Sequence, residues 1–161
     1  MSYRVCFVCS GNICRSPMAE IVLRAMLPDA GLADQVEVDS AGTGDWHAGD
    51  PADRRTVAAL AKAGYDGDQH VARQLDPPYL QTRDLILVAD NGHLHDVLRM
   101  AGAHSTARVQ LMREFDPEAV TAGTLEVDDP YYGNASDFDR CLTQIEAACA
   151  GVVEELKREL R

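Results

Sequence analysis

Apolar residues recur along this chain at two alternating spacings. Arg4-Val5-Cys6-Phe7-Val8 is a short apolar run that predicts a buried strand. From Ser16-Pro17 the spacing changes. Met18, Ile21, Val22, Ala25 and Met26 fall at helical intervals and predict a helix capped by Ser16, with Pro17 in its first turn and its apolar side on a sheet. Residues 36–39 predict a second strand. Asp53 caps a helix through Val57, Leu60 and Ala61 that Gly64 stops. Residues 84–89 form the clearest strand, a continuous apolar run of the kind buried on both faces. Leu94, Val97 and Leu98 mark a helix ended near Gly102, and residues 107–112 a fourth strand. A loop rich in Gly, Pro and Asp then leads to Ser136, the expected cap of a long last helix. Its stripe is Phe138, Cys141, Leu142, Ile145, Cys149, Val152 and Leu156.

Strands alternating with helices imply an α/β fold with right-handed crossovers: three α/β/α layers around a central four-stranded parallel sheet. No repeat or linker interrupts residues 1–161, which read as a single domain. Ligands in such folds sit beyond the carboxyl ends of the strands, where the first strand delivers Cys9.

Composition narrows the function. At 161 residues, 46% hydrophobic and 25% charged, the chain can bury a core without disulfides or a structural metal. No apolar run nears the ~20 residues of a membrane span. The first apolar stretch ends in Ser10-Gly11-Asn12 without a small-residue cleavage site, so no signal peptide is expected. The 26 acidic residues outnumber the 15 basic ones, giving a net charge of −11, and the only lysines are Lys62 and Lys157. That balance argues against nucleic acid and against an anionic membrane as partners. An anion would have to be held at one focused site. Five cysteines, three of them within residues 6–14, do not resemble a disulfide framework and fit a reducing cytoplasm.

The segment Val8-Cys9-Ser10-Gly11-Asn12-Ile13-Cys14-Arg15-Ser16-Pro17 carries the chemistry. A strand ends, a loop from Cys9 to Arg15 follows, and a helix begins. Such a loop can turn successive backbone N–H groups inward as a nest for an anion, and the helix N-terminus adds its positive end. Gly11 and Asn12 tolerate the positive φ a curl requires. Arg15 supplies a planar fork matched to two phosphate oxygens. The same field holds a cysteine at the mouth of the nest as thiolate. Together these describe phosphoryl transfer through a cysteinyl-phosphate.

At these residues the sequence resembles the low-molecular-weight protein tyrosine phosphatases of bacterial type. Cys9, Arg15 and Ser16 match the family's Cys-x5-Arg-Ser/Thr signature, and Gly11-Asn12-Ile13-Cys14 its tighter form. The likeness continues through Asp39-Ser40-Ala41-Gly42, Trp46-His47, His70-Val71-Ala72-Arg73-Gln74, Asp90 and Asp129-Pro130-Tyr131-Tyr132-Gly133. It implies a hydrolase of phosphotyrosine in proteins that acts in signalling, needs no cofactor or metal, and is monomeric. The implied catalytic residues are Cys9, Arg15, Asp129 and Ser16. Ser10, Gly11, Asn12, Ile13, Cys14, Trp46, Tyr131 and Tyr132 form the substrate site, and Ser40, His70 and Asp90 support the loop. Ser10 stands at a variable loop position and bears on substrate preference.

Other readings of the same residues stand beside these. Cys6 and Cys9 form a Cys-x-x-Cys, but Cys6 lies inside an apolar run and reads as core, as do Cys141 and Cys149. Cys14 is either a buried loop residue or, by the resemblance, the reversible disulfide partner of Cys9. His93, His95 and His104 have no usable partner spacing and read as surface. Asp50, Asp76, Asp116 and Asp129 each precede proline, a plain turn former. An arsenate reductase shares fold and loop but needs extra cysteines, and residues 15–140 contain none. A protein-arginine phosphatase carries threonine where Ile13 stands. A non-catalytic phosphotyrosine-binding module is the third alternative.

Overall fold

The structure, a computed structural model, describes residues 2–103 and 105–160, so the expectation for His104 lies outside the described residues. Four strands, β1 (Tyr3–Cys9), β2 (Val36–Gly42), β3 (Leu85–Val88) and β4 (Arg108–Leu111), form one parallel sheet in the order β2-β1-β3-β4. Among the described residues six α-helices accompany it: α1 (Arg15–Met26), α2 (Arg54–Lys62), α3 (Pro77–Leu80), α4 (Asn91–Ala101), α5 (Pro117–Ala122) and α6 (Ala135–Glu159). A 3-10 turn spans Met112–Phe115.

Alternation along β1 explains the layers. Val5, Phe7 and Cys9 join a core with Met18 and Val22 of α1 and Phe138 and Ile145 of α6. Cys6 and Val8 point the other way, into a second core with Val97 and Ala101 of α4 and with Leu75 and Leu80. Every residue of β3 is buried, as a strand covered on both faces must be. From central β1 the chain runs through α1 to β2 on one flank and later to β3 on the other. The carboxyl end of β1 is therefore the switch point where such sheets hold ligands.

Several boundaries differ from the sequence pattern. Helix α1 begins at Arg15 with Cys14 at the cap position, so Ser16 lies inside the first turn and caps nothing. Its hydroxyl is turned into the loop instead. Pro17 stays in the first turn, where a backbone N–H has no intrahelical acceptor. Ala25 is exposed, and Ala19 and Leu23 take its expected place beside Met18 and Val22. On α2 Ala61 is likewise exposed and Ala59 buried. Helix α6 is capped by Asn134 rather than Ser136. The Asn134 side chain accepts from Ser136 N and Asp137 N, and Asp137 accepts from Asn134 N at 2.8 Å, a reciprocal box worth about 1 kcal/mol. Two of the four Asp-Pro pairs do more than turn the chain: Asp76 caps α3 and Asp116 caps α5, each with proline opening the helix.

Candidate active site

The loop from Cys9 to Arg15 hangs from the end of the sheet. Cys9 pairs with Gly42 across β1 and β2, Thr43 N donates to Cys9 O at 2.9 Å, and Gly44 N donates to Ser10 O at 3.1 Å. A Cβ on Gly42 would stand 2.6 Å from Ser10 O, so only glycine lets the strand approach this closely. Of the two residues expected to take positive φ, only Asn12 does, at 60°. Gly11 serves space instead, because a Cβ there would lie 2.8 Å from the His47 ring. The N–H groups of residues 11–14 donate to no protein acceptor among the described residues. With the N-terminus of α1 they make a concave set of free donors of the kind that can hold an anion.

Behind the loop runs a chain of buried hydrogen bonds. Asn12 Nδ2 donates to Ser16 Oγ at 2.8 Å and to Ser40 Oγ at 2.9 Å, and Ser40 donates on to Glu20 Oε1 at 2.5 Å. Since Asn12 fills an acceptor site on Ser16, the Ser16 O–H is free to donate to Cys9 Sγ, 3.0 Å away. The other end of Asn12 is held as well: His70 Nε2 donates to Asn12 O at 2.7 Å and Arg73 N to Asn12 Oδ1 at 2.9 Å. Glu20 was not singled out in the sequence. Its one signal was position, four residues beyond Ser16 on the same face of α1.

Arg15 is 3% exposed despite its charge. Its Nη1 donates to Asp90 Oδ2 at 2.9 Å and to Val127 O at 2.7 Å, which leaves Nε and Nη2 as a fork towards the nest. Nη2 lies 3.7 Å from Asp129 Oδ2. Burial works against this guanidinium, but Cys9, Asp129 and Asp90 outweigh it and raise its pKa. Burial would also lift the Asp90 carboxyl. The His93 amide, the His93 ring and Arg15 hold it below its usual range instead. His93 is a correction: it is buried, with Nε2 2.8 Å from Ser10 Oγ, because the N-cap Asp90 turns the first coil of α4 inward. His95 is exposed as expected.

Cys9, Ser10, Gly11, Ile13, Cys14 and Arg15 form the floor of a cavity of about 330 Å3. Trp46 and His47 stand on one side, and Asp129, Tyr131 and Tyr132 on the other. Asn12, Ser16, Ser40, His70 and Asp90 lie behind the floor, outside the cavity lining. Tyr131 and Tyr132 meet edge to face at 5.0 Å. Arg55, which carried no sequence signal beyond its place after a cap, braces that wall. It forks onto Asp53, stacks over Tyr131 at 5.4 Å and Phe138 at 4.5 Å, and donates to Gly133 O. Asp53 N in turn donates to Ile13 O at 2.9 Å, tying wall to floor. Cys14 is buried, and its thiol is pushed up to about 12 by that burial. All five cysteines are free.

A larger groove of about 700 Å3 lies at the amino ends of β1 and β2. Its arginines are each matched by a carboxylate, Arg4 by Glu37, Arg24 by Glu20 and Arg83 by Asp39, so among the described residues it offers no free cation to an anion. Among the described residues no cluster of three or more His, Cys, Asp or Glu could hold a metal ion, and no helix is long and apolar enough to cross a membrane.

Known proteins agree with this geometry. A structure of a protein tyrosine phosphatase from Entamoeba histolytica superposes with a TM-score of 0.91 at 32% identity, over 99% of this chain and all of that one. A Drosophila arginine phosphatase superposes with a TM-score of 0.86 at 28% identity, over 95% of this chain and 97% of its own. A low molecular weight protein-tyrosine-phosphatase of Streptomyces coelicolor is 50% identical over 99% of this chain and 97% of its own length. The model of the low molecular weight phosphotyrosine protein phosphatases matches residues 4–161. With a match that begins in β1 and runs past α6, the chain belongs to the low molecular weight phosphotyrosine protein phosphatase family.

Proposed function

We propose that this phosphatase works through Cys9, Arg15, Ser16 and Asp129 in two displacements. Cys9 thiolate attacks phosphorus in line; the bond from phosphorus to the phenolic oxygen breaks, and Asp129 protonates the leaving phenolate. Water then attacks the cysteinyl-phosphate, giving its proton to Asp129, and the thiolate leaves under the Ser16 O–H. Arg15 and the N–H groups of residues 11–14 stabilise the equatorial oxygens throughout. Asn12, Ser40 and His70 hold the loop in shape, and Asp90 holds Arg15. The observation that carries the reading is one cavity with a nucleophile, an unpaired N–H nest, a buried guanidinium and a carboxylate.

Phosphotyrosine, rather than phosphoserine, fits the walls. A phosphate bound on the floor would have its aryl group between Trp46 and the pair Tyr131 and Tyr132, a slot that the shorter phosphoserine does not fill. Aryl phosphates are therefore expected to be hydrolysed far faster than alkyl ones. Matched phosphotyrosine and phosphoserine peptides test this, and equal kcat/KM would refute the slot. In the same assay Ile13→Thr is expected to raise activity on phosphoarginine relative to phosphotyrosine. An unchanged ratio counts against Ile13 as the selector.

Regulation by oxidation belongs to the same proposal. Brief peroxide treatment is expected to inactivate the enzyme reversibly by joining Cys9 to Cys14. Because burial keeps the Cys14 thiol protonated up to about pH 12, closure should quicken steadily as pH rises from 6 to 9. Mass spectrometry after quenching reads the bond. Over-oxidised Cys9 with free Cys14 at every pH would remove Cys14 from the role. A cytoplasmic monomer acting on signalling phosphoproteins completes the reading. It is supported by the acidic composition and five free thiols, and sedimentation would test the monomer.

A further inference from the structure

His93 is a buried titratable side chain beside the floor that the mechanism leaves unused, and its three polar contacts join groups far apart in sequence. Asp90 divides its carboxylate: Oδ2 accepts from Arg15 Nη1 at 2.9 Å, and Oδ1 accepts from His93 N at 3.1 Å. The His93 ring folds back over the same carboxylate, with Nδ1 3.2 Å from Oδ1, close but too poorly aligned for a hydrogen bond. Its far nitrogen, Nε2, lies 2.8 Å from Ser10 Oγ. Ser10 follows the nucleophile directly, and Arg15 closes the loop.

We propose that His93 is a positioning residue of the phosphate loop, tying the Ser10 hydroxyl at its start to the Asp90 carboxylate that sets Arg15 at its end. The chemistry fixes the direction of the bonds. A carboxylate oxygen beside Nδ1 favours the ring proton on that atom, so Nε2 is the acceptor and Ser10 O–H the donor. The charges facing the ring are Arg15 from α1, Asp90 at the N-cap of α4, Asp96 within α4, and Asp129 from the opposite wall. Burial and Arg15 disfavour the imidazolium more than the carboxylates favour it, which keeps the acceptor available at neutral pH. Without the ring, the Ser10 hydroxyl loses its partner and the residue after the nucleophile can turn away from the nest. Asp90 also loses one of the groups that orient it on Arg15.

The proposal rests on reading residues 9–15 as the phosphate cradle, and inorganic phosphate as a competitive inhibitor of wild-type turnover checks that reading separately. His93→Ala, Ser10→Ala, the double variant and His93→Gln are compared for kcat, KM and the phosphate inhibition constant, with melting temperature as control. His93→Ala is expected to lower kcat and weaken phosphate about 10-fold each. Ser10→Ala should add less than about twofold in that background, because both changes remove one bond. His93→Gln, whose amide oxygen can stand where Nε2 stands, should recover most of the loss. Additive effects of the two alanines, or a folded His93→Gln no better than His93→Ala, would overturn the proposal. If His93→Ala does not fold, wild-type phosphate affinity in Ser10→Ala overturns it too. Failure of phosphate to inhibit the wild type would instead sink the cradle.

Discussion

Cys9→Ser is expected to lower turnover of p-nitrophenyl phosphate by ~10⁴-fold or more while leaving fold and phosphate binding in place. Among the described residues the only hydrogen-bond partner of Cys9 Sγ is Ser16 Oγ, a hydroxyl that accepts from Asn12 and has its O–H free to donate to a thiolate. A serine here would find no base to take its proton, and at neutral pH it would stay a neutral alcohol. The structural cost is small. Cys9 is 3% exposed at the end of β1, and a serine hydroxyl is smaller than the thiol and can keep the contact with Ser16. The N–H nest and Arg15 remain, so the variant should still bind phosphate and trap phosphotyrosine proteins from lysate. Circular dichroism, phosphate titration and initial rates on one preparation decide it. Substantial turnover by a verified Cys9→Ser sample would remove Cys9 as the nucleophile.

Asp129→Asn is expected to slow phenyl phosphate and phosphotyrosine by ~10²- to 10⁴-fold, whereas Asp128→Asn should change either little. The two carboxylates are adjacent in sequence but face different ways. Asp129 borders the cavity with its Oδ2 3.7 Å from Arg15, while Asp128 is absent from that lining and borders two outer grooves. Pro130 biases Asp129 towards extended backbone, and neighbouring side chains of an extended segment point apart. Asp129 is further fixed by the Tyr131 N–H, which donates to Oδ1 at 3.1 Å and leaves Oδ2 for proton transfer. An acid matters most for a poor leaving group. The loss should therefore shrink as the phenol becomes more acidic, and a plot of kcat against leaving-group pKa should steepen for Asp129→Asn alone. A steeper plot for Asp128→Asn instead would transfer the role to that residue.

The sheet and the floor of the site were legible because their signals are local. The strand, loop and helix that build the nest lie within residues 3–26, and β3 is a plain apolar run. What escaped is held together across the sequence. His93 reaches Ser10 over 83 positions and Arg55 reaches Gly133 over 78, and neither leaves a periodic trace. Asp90 three residues before His93 was the available clue, since an N-cap carboxylate meets the N–H at that spacing. Ser16 departs from its expected capping role for a related reason: a serine before proline looks the same in sequence whether it caps a helix or aims its hydroxyl at a sulfur. Helices α3 and α5, of 4 and 6 residues, are too short for a period to show.

Arg15 has a consequence beyond turnover. Through Nη1 it binds Val127 O, and Val127 N is itself held by Ala89 O at the end of β3. One buried cation thus pins the segment before Asp129 onto the sheet, inside a molecule whose net charge is −11. An oxyanion settling in the nest would neutralise that cation and satisfy N–H groups that have no protein partner among the described residues. Such a ligand belongs to the folded state alone, and at a hundred times its dissociation constant it adds about 2.7 kcal/mol to stability. The phosphate released at each turnover, a competitor for the next substrate, is on this reading expected to raise the melting temperature of the enzyme that made it.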